Sequence, residues 1–271
     1  MVDFQCKSFY DYEDLLRIMK LLRAPGGCPW DREQTHESIR RNFLEETYEA
    51  VDAIDRRDSA ALCEELGDVL MQVVFHAELE SEAGGWDMAD VVNGVCQKLI
   101  YRHPHVFGSV QAKTSDEVLT NWEVLKRREK GQSSTADAVD AVARTLPALW
   151  RAEKMQAKAA KAGFTWPGDD GRGAVRKLEE ETEEVRRAAE ANGPADAPHG
   201  LREEIGDVLF AAVKVAQQNG VDPEDALHRS CDKFAGRFRY VESAAGGEAL
   251  DTLPWERQLA LWEAAKQHQT T

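Results

Sequence analysis

Glu64-Glu65-Leu66-Gly67-Asp68-Val69-Leu70 recurs as Glu203-Glu204-Ile205-Gly206-Asp207-Val208-Leu209, 139 residues further along the chain. Acids, glycine and aliphatic positions coincide, which marks an internal repeat. The apolar residues around each copy keep a helical period. Leu62, Leu66, Val69, Leu70, Val73, Val74 and Ala77 advance by 4, 3, 1, 3, 1 and 3, and Leu201, Ile205, Val208, Leu209, Ala212, Val213 and Ala216 repeat those steps. Such a stripe predicts a core-facing helix of a bundle. No run of alternating apolar and polar residues demands a sheet, so the predicted fold is all-α, a tandem duplicated helical bundle.

Outward from this segment the two halves continue to match. Leu44-Glu45-Glu46-Thr47-Tyr48-Glu49 returns as Glu179-Glu180-Glu181-Thr182-Glu183-Glu184, and Leu15-Leu16-Arg17 with Lys20 returns as Leu149-Trp150-Arg151 with Lys154. Trp30 returns as Trp166, Lys98 and Arg102 as Lys233 and Arg237, and Trp122-Glu123 with Lys126 as Trp262-Glu263 with Lys266. The second copy gains four residues in the turn-forming stretch Asn192-Gly193-Pro194-Ala195-Asp196-Ala197-Pro198. Gly131-Gln132-Ser133-Ser134-Thr135 reads as a linker, which gives an N-terminal helical domain over 1–130, a linker over 131–140 and a C-terminal helical domain over 141–271. Asp87 before Met88 and Asp222 before Pro223 predict helix starts, the second with proline at the first helical position.

The whole chain, 271 residues, is long enough for two cores. Its 34 Lys and Arg against 49 Asp and Glu leave a net charge of −15, which opposes a nucleic-acid polymer or an anionic membrane surface. A small polyanion is still a fitting ligand if a divalent cation reverses the local sign. The longest clean apolar run, Val208–Val213, is far too short to span a bilayer, and the first twenty residues carry Asp3, Lys7, Asp11, Glu13 and Asp14. Cys6, Cys28, Cys63, Cys96 and Cys231 form no Cys-x-x-Cys pair and no even set, so neither a zinc knuckle nor a disulfide framework is expected. A reducing cytoplasm is the expected compartment.

The acids carry the chemistry. On a helix, Glu46 and Glu49 share a face, with Glu45 one turn before Glu49, and Glu65 and Asp68 do the same on the next helix. Two helices therefore direct four carboxylates at one place. With Leu66 and Val69 assigned to the buried stripe, Glu65 and Asp68 are expected to flank the core. Carboxylates crowded at such a border repel one another and lose hydration, a cost that a divalent cation removes. An all-oxygen ligand set selects a hard ion, Mg²⁺ or, as a substitute, Mn²⁺. A Glu-Glu-x-x-Glu string alone is most often a solvated helix face; its pairing with Glu-x-x-Asp, and the appearance of the set twice, favour a metal site.

Glu-Glu-x-x-Glu followed by Glu-x-x-Asp resembles the MazG family of nucleoside triphosphate pyrophosphohydrolases. So do Gly27-Cys28-Pro29-Trp30-Asp31, Arg102-His103-Pro104-His105-Val106-Phe107 and Lys233-Phe234-x-x-Arg237-Phe238, and the resemblance covers nearly the whole chain. It implies an all-α bundle that assembles as a homodimer and cleaves nucleoside triphosphates between the α and β phosphorus. On matching positions it implies that Glu181, Glu184, Glu204 and Asp207 hold Mg²⁺ in the second copy, and Glu46, Glu49, Glu65 and Asp68 in the first. Glu180 and Glu45 would either support the ligand carboxylates from behind or orient the attacking water, and Glu180, Glu181, Glu184 and Glu45 are the catalytic candidates. Lys233 and Arg237, and likewise Lys98 and Arg102, would meet the phosphates, and Trp262 would lie near the nucleotide, with Trp122 as its counterpart. For Trp30, Trp122 and Trp166 a packing role is at least as good a reading. Cys231 stands where the family often has Asn.

A carboxylate-bridged di-iron bundle would need Glu-x-x-His on two helices, and only Glu33-Gln34-Thr35-His36 fits. Gly168, Gly171 and Gly173 cluster without the lysine of a phosphate-binding loop. The expected function is therefore Mg²⁺-dependent pyrophosphohydrolysis of nucleoside triphosphates with broad base tolerance. The alternative is a non-catalytic bundle that binds nucleotides as a regulator.

Overall fold

The structure, a computed structural model, describes residues 4–129, 131, 134–164, 172–191 and 193–268. Among them every regular element is helical, as the periodicity predicts. The chain forms two compact units, Met1–Lys126 and Arg127–Thr271. Thr135–Asp140, inside the stretch expected to be linker, is a helix: Ser134 accepts from the Asp137 backbone N–H and closes a capping box. That helix packs within the C-terminal unit.

The N-terminal unit begins with α1 (Tyr12–Arg23) and the short α2 (Pro29–Glu33). A long antiparallel hairpin follows, α3 (His36–Asp55) and α4 (Ser59–Glu82), then α5 (Met88–Arg102), α6 (Pro104–Phe107) and α7 (Ser115–Glu129). Thr35, Asp58 and the predicted Asp87 each cap the helix that follows them by accepting backbone N–H bonds. Met19, Ile39, Val74 and Phe75 form the core where α1, α3 and α4 meet, with Leu15, Leu16, Met71, Leu79 and Met88 packed against it. Arg23 closes one end of this core. Its guanidinium donates two bonds to Glu82, at 2.9 and 2.7 Å, another to the Asp31 carbonyl, and lies 5.3 Å from the Phe75 ring centre. Gly27 sits in the same corner, where a Cβ would collide with the Leu21 and Leu22 carbonyls.

The C-terminal unit repeats the plan with α8 (Thr135–Asp140), α9 (Ala148–Lys161), the hairpin α10 (Gly173–Ala191) and α11 (Leu201–Gln218), α12 (Pro223–Ala244) and α13 (Trp255–His268). The extra residues before α11 form turns, and a Cβ at Gly200 would fall 2.6 Å from the Ala195 and Ala197 carbonyl oxygens. Side-chain amides bind the helices: Gln156 Nε2 donates to the Phe210 carbonyl at 2.7 Å and Gln217 Nε2 to the Glu153 carbonyl at 3.0 Å. Asp222 accepts from the Glu224 and Asp225 backbone N–H groups and from Trp150 Nε1 at 3.0 Å. Asp222→Ala removes a cap and an interhelix bond together and is expected to cost about 1–2 kcal/mol, read as a lower urea midpoint.

One expectation is corrected. The apolar stripe is buried only in its second half, at Val74, Ala77 and Val213, whereas Leu66 is 53% and Leu209 52% exposed. Beside these exposed leucines an acid takes the inward direction instead: Glu204 is only 5% exposed and Glu65 is half-buried, while Asp207 stays exposed. A step of about 100° per residue separates Glu65 from Leu66 and Glu204 from Ile205, so turning the acid toward the partner helix turns its apolar neighbour away.

Candidate metal centre

Each hairpin brings three carboxylates together. In the N-terminal unit Glu46 and Glu49 of α3 meet Glu65 of α4, and one oxygen of each lies within 4.8 Å of the others. In the C-terminal unit Glu181 of α10 meets Glu204 and Asp207 of α11 within the same limit. The fourth residue expected in each set stands just outside: Asp68 in the first, Glu184 in the second. Asp68 still acts on Glu46 as the strongest of its neighbouring charges, and Glu184 is hydrogen-bonded to Glu181.

Loss of hydration and mutual repulsion raise the proton affinity of both clusters. Burial, then the charges of Asp68, Glu49, Glu65 and Glu45, pushes Glu46 above the ordinary carboxylate range. Burial, then Glu49, Glu64 and Asp68, does so for Glu65. Asp207 is raised by burial and by Glu181 and Glu203, against the opposing pull of Lys177 and His199. Glu184 is raised first by its hydrogen bond with Glu181, then by burial and by the charges of Glu181 and Glu204. Lys177 supplies a local cation: its Nζ lies 2.8 Å from Glu181 and 2.9 Å from Glu180, and these hydrogen bonds hold its own pKa above the usual lysine value. Clustered oxygen donors, among them Glu46, Glu65, Glu184 and Asp207 with raised proton affinity, fit a hard divalent cation.

This crowding would make the effect of a bound divalent cation such as Mg²⁺ depend on pH. Glu46, Glu65, Glu184 and Asp207 have folded-state pKa values above their unfolded ones, so without a cation their contribution to stability is present at low pH and lost as pH rises through the raised values. A bound cation offsets that loss and competes with protons for the same oxygens. The rise in melting temperature on adding Mg²⁺ is therefore expected to shrink as pH falls from about 7.5 to about 5 in parallel melts.

The other expected site residues are not members of these clusters. Glu45 pairs with Arg41 at 2.7 Å and Glu180 with Lys177, both outside the metal-competent triads. Arg102 of α5 lies 5.3 Å from the Trp122 ring centre, which Lys126 approaches to 4.6 Å. The second copy repeats the pairing of cation and ring, with Arg237 at 6.0 Å and Phe234 at 5.4 Å from Trp262. Lys98 and Lys233 are exposed, each one turn before the arginine of its pair, and Cys231 is exposed and free. Trp30 is exposed rather than packed, and Trp166 lies outside the described residues. A cavity of about 210 Å³ adjoins the C-terminal cluster, lined by Lys177, Glu181, Asp207, Phe210, Lys214 and two alanines; Lys233, Arg237 and Trp262 are not part of its wall. Sequence reasoning missed Lys177, Lys214 and His199, whose ring lies 3.7 Å from Glu204. Only Lys177 had a signal, its spacing of three and four from Glu180 and Glu181.

The family profile of the MazG nucleotide pyrophosphohydrolase domain matches residues 34–107 and 172–241, one match on each acidic hairpin. The chain belongs to the MazG family. A Thermotoga maritima protein named nucleoside triphosphate pyrophosphohydrolase/pyrophosphatase MazG is 40% identical over 257 residues, 94% of this chain and 95% of that protein. The nucleoside triphosphate pyrophosphohydrolase of Escherichia coli strain K12 is 43% identical over 258 residues, 94% of this chain and 97% of its own length. YabN of Bacillus subtilis, named as uncharacterized, is 40% identical over 263 residues, 96% of this chain and 52% of that protein. The two MazG matches contain both acidic sets and both Lys-Arg pairs but end before Trp122 and Trp262.

Proposed function

We propose that this chain hydrolyses nucleoside triphosphates to a nucleoside monophosphate and pyrophosphate, breaking the α–β phosphoanhydride with Mg²⁺ as cofactor and Mn²⁺ as a working substitute. The observation that carries this reading is the gathering of Glu181, Glu204 and Asp207 on one hairpin, beside a cavity. Relatives named nucleoside triphosphate pyrophosphohydrolases, 40% and 43% identical along nearly the whole chain, support it. Glu181, Glu184, Glu204 and Asp207 would hold the ion in the C-terminal unit, and Glu46, Glu49, Glu65 and Asp68 in the N-terminal unit. The ion would supply neutralisation of the phosphates and a more acidic bound water. Glu180 and Glu45, each adjacent in sequence to a candidate ligand carboxylate, would support that carboxylate or orient the attacking water, and a nearby carboxylate would take its proton.

Lys233 with Arg237, and Lys98 with Arg102, are spaced one helical turn apart to meet phosphate oxygens. Trp262 and Trp122 offer a ring face to the base, and stacking of that kind tolerates different bases. The net charge of −15 keeps nucleic-acid polymers and anionic membranes out of the proposal, and no helix among the described residues is long and apolar enough to cross a membrane. Five free cysteines suit a reducing cytoplasm. In the N-terminal unit Leu44, Tyr48, Val51 and Ile54 of α3 and Leu66 and Leu70 of α4 are exposed, and we assign this apolar surface to a second copy in a homodimer. Sedimentation of Leu66→Glu as a monomer beside a dimeric wild type would support that assignment; an unchanged state would remove it.

Phosphorus NMR of the protein with a nucleoside triphosphate and Mg²⁺, run beside Glu49→Ala, Glu184→Ala and the double variant, tests the reaction. Monophosphate plus pyrophosphate, lost in one single variant, establishes the bond and the working half. Diphosphate plus orthophosphate overturns the bond assignment, and Mg²⁺-dependent binding without turnover replaces the enzyme by a regulatory nucleotide-binding bundle.

A further inference from the structure

Lys214 has no part in the reading above, yet its surroundings require a ligand. It lies on α11, is only 6% exposed and lines the same cavity as Glu181 and Asp207. Its ammonium donates to Gln217 Oε1 at 3.0 Å, a neutral acceptor, and among the described residues it makes no ion pair. An ammonium carries three donors, and a buried charge without a counter-charge is unfavourable. Of the two carboxylates in the same cavity wall, Glu181 is already bonded to Lys177, and Asp207 forms no ion pair with Lys214.

The internal repeat shows that this cation is particular to one unit. The position 139 residues before Lys214 is Phe75, a core residue of the N-terminal unit. The position 135 residues before Lys177 is Asn42. At the matching positions the N-terminal unit has a buried aromatic residue and an amide, whereas the C-terminal unit places two lysines in the wall of a cavity.

We propose that Lys214 binds a phosphate oxygen of the triphosphate in the C-terminal unit, a substrate contact that the N-terminal unit lacks. The inference rests on the triphosphate reading given above. The carboxylates of the cavity wall would serve a cation, and Lys214 would neutralise an anionic oxygen of the ligand beside it.

Lys214→Met and Lys214→Gln are compared with wild type by calorimetric titration with inorganic tripolyphosphate in Mg²⁺, by titration with orthophosphate, and by Mn²⁺ binding followed by electron paramagnetic resonance. Lys214→Gln, which retains a polar partner for Gln217, serves where Lys214→Met does not fold. Tripolyphosphate affinity is expected to fall roughly tenfold or more in the variants, with Mn²⁺ affinity unchanged. The KM for a nucleoside triphosphate should rise by a similar factor and kcat change less, and Lys214→Met should melt higher than wild type in the absence of ligand. Wild-type affinity in both variants overturns the inference, as does a Lys214-dependent preference for orthophosphate over tripolyphosphate. A wild type that binds Mn²⁺ but no tripolyphosphate overturns the triphosphate reading itself.

Discussion

Glu181→Gln is expected to lower pyrophosphate release from nucleoside triphosphates by more than about a hundredfold. Glutamine keeps the shape of the side chain and removes only its charge. Glu181 is the residue on which the C-terminal cluster converges: it lies within 4.8 Å of ligand oxygens from Glu204 and Asp207, is hydrogen-bonded to Glu184, pairs with Lys177 and lines the cavity. Its loss would take a donor from the proposed cation and leave Lys177 paired with Glu180. The same change relieves repulsion on Glu184 and Asp207, so in the absence of metal the variant should melt at or above the wild-type temperature. Low activity with an undiminished melting temperature separates loss of the site from loss of the fold. Glu46→Gln, the corresponding change in the N-terminal unit, is expected to cost less than about threefold if that unit is a second or structural site. Turnover of Glu181→Gln within tenfold of wild type would remove the C-terminal cluster from the reaction.

Arg23→Met is expected to destabilise the N-terminal unit by about 2–4 kcal/mol. The arginine is buried and holds α1 to α4 through two bonds to Glu82, to the start of α2 through the Asp31 carbonyl, and to the core through Phe75. Removing it leaves Glu82 and a backbone carbonyl without their donor. The Glu82 side chain keeps 39% of its surface in water, which moderates the cost and places the effect below that of a fully buried pair. Urea unfolding should show an earlier transition, while Mn²⁺ binding by the C-terminal cluster stays unchanged, because no residue of that cluster belongs to the N-terminal unit. A midpoint shift worth less than about 1 kcal/mol would show that the Met19, Ile39, Val74 and Phe75 core holds the corner without the ion pair.

Much of this was legible in the residues. The duplication, the helices, the caps at Asp87 and Asp222 and the acidic positions that meet in each hairpin follow from spacing, because helical geometry makes residues three and four apart neighbours wherever the helix lies. The helix over Thr135–Asp140 was hidden by a Gly- and Ser-containing approach, although Ser134 and Asp137 already hold the pattern of a capping box. Lys214 gave no signal at all. In the stretch Val213-Lys214-Val215 a lysine reads as a solvated interruption, and only the packing of α10 on α11 shows that it is enclosed.

The exchange between Glu204 and Leu209 locates the division. Residue spacing and composition establish that the chain is two copies of one helical plan, that each copy carries two acids per helix at a one-turn spacing, and that its charge balance opposes a polyanionic polymer as a general partner. The tertiary structure decided how far each helix is rotated about its own axis. That rotation is set by the packing of whole faces against neighbouring helices, and it turned Glu204 inward, Leu66 and Leu209 outward, and Lys214 into the wall of a cavity. Periodicity names the residues that share a face. Which face is buried depends on contacts between helices far apart in the chain, and local spacing carries no record of them.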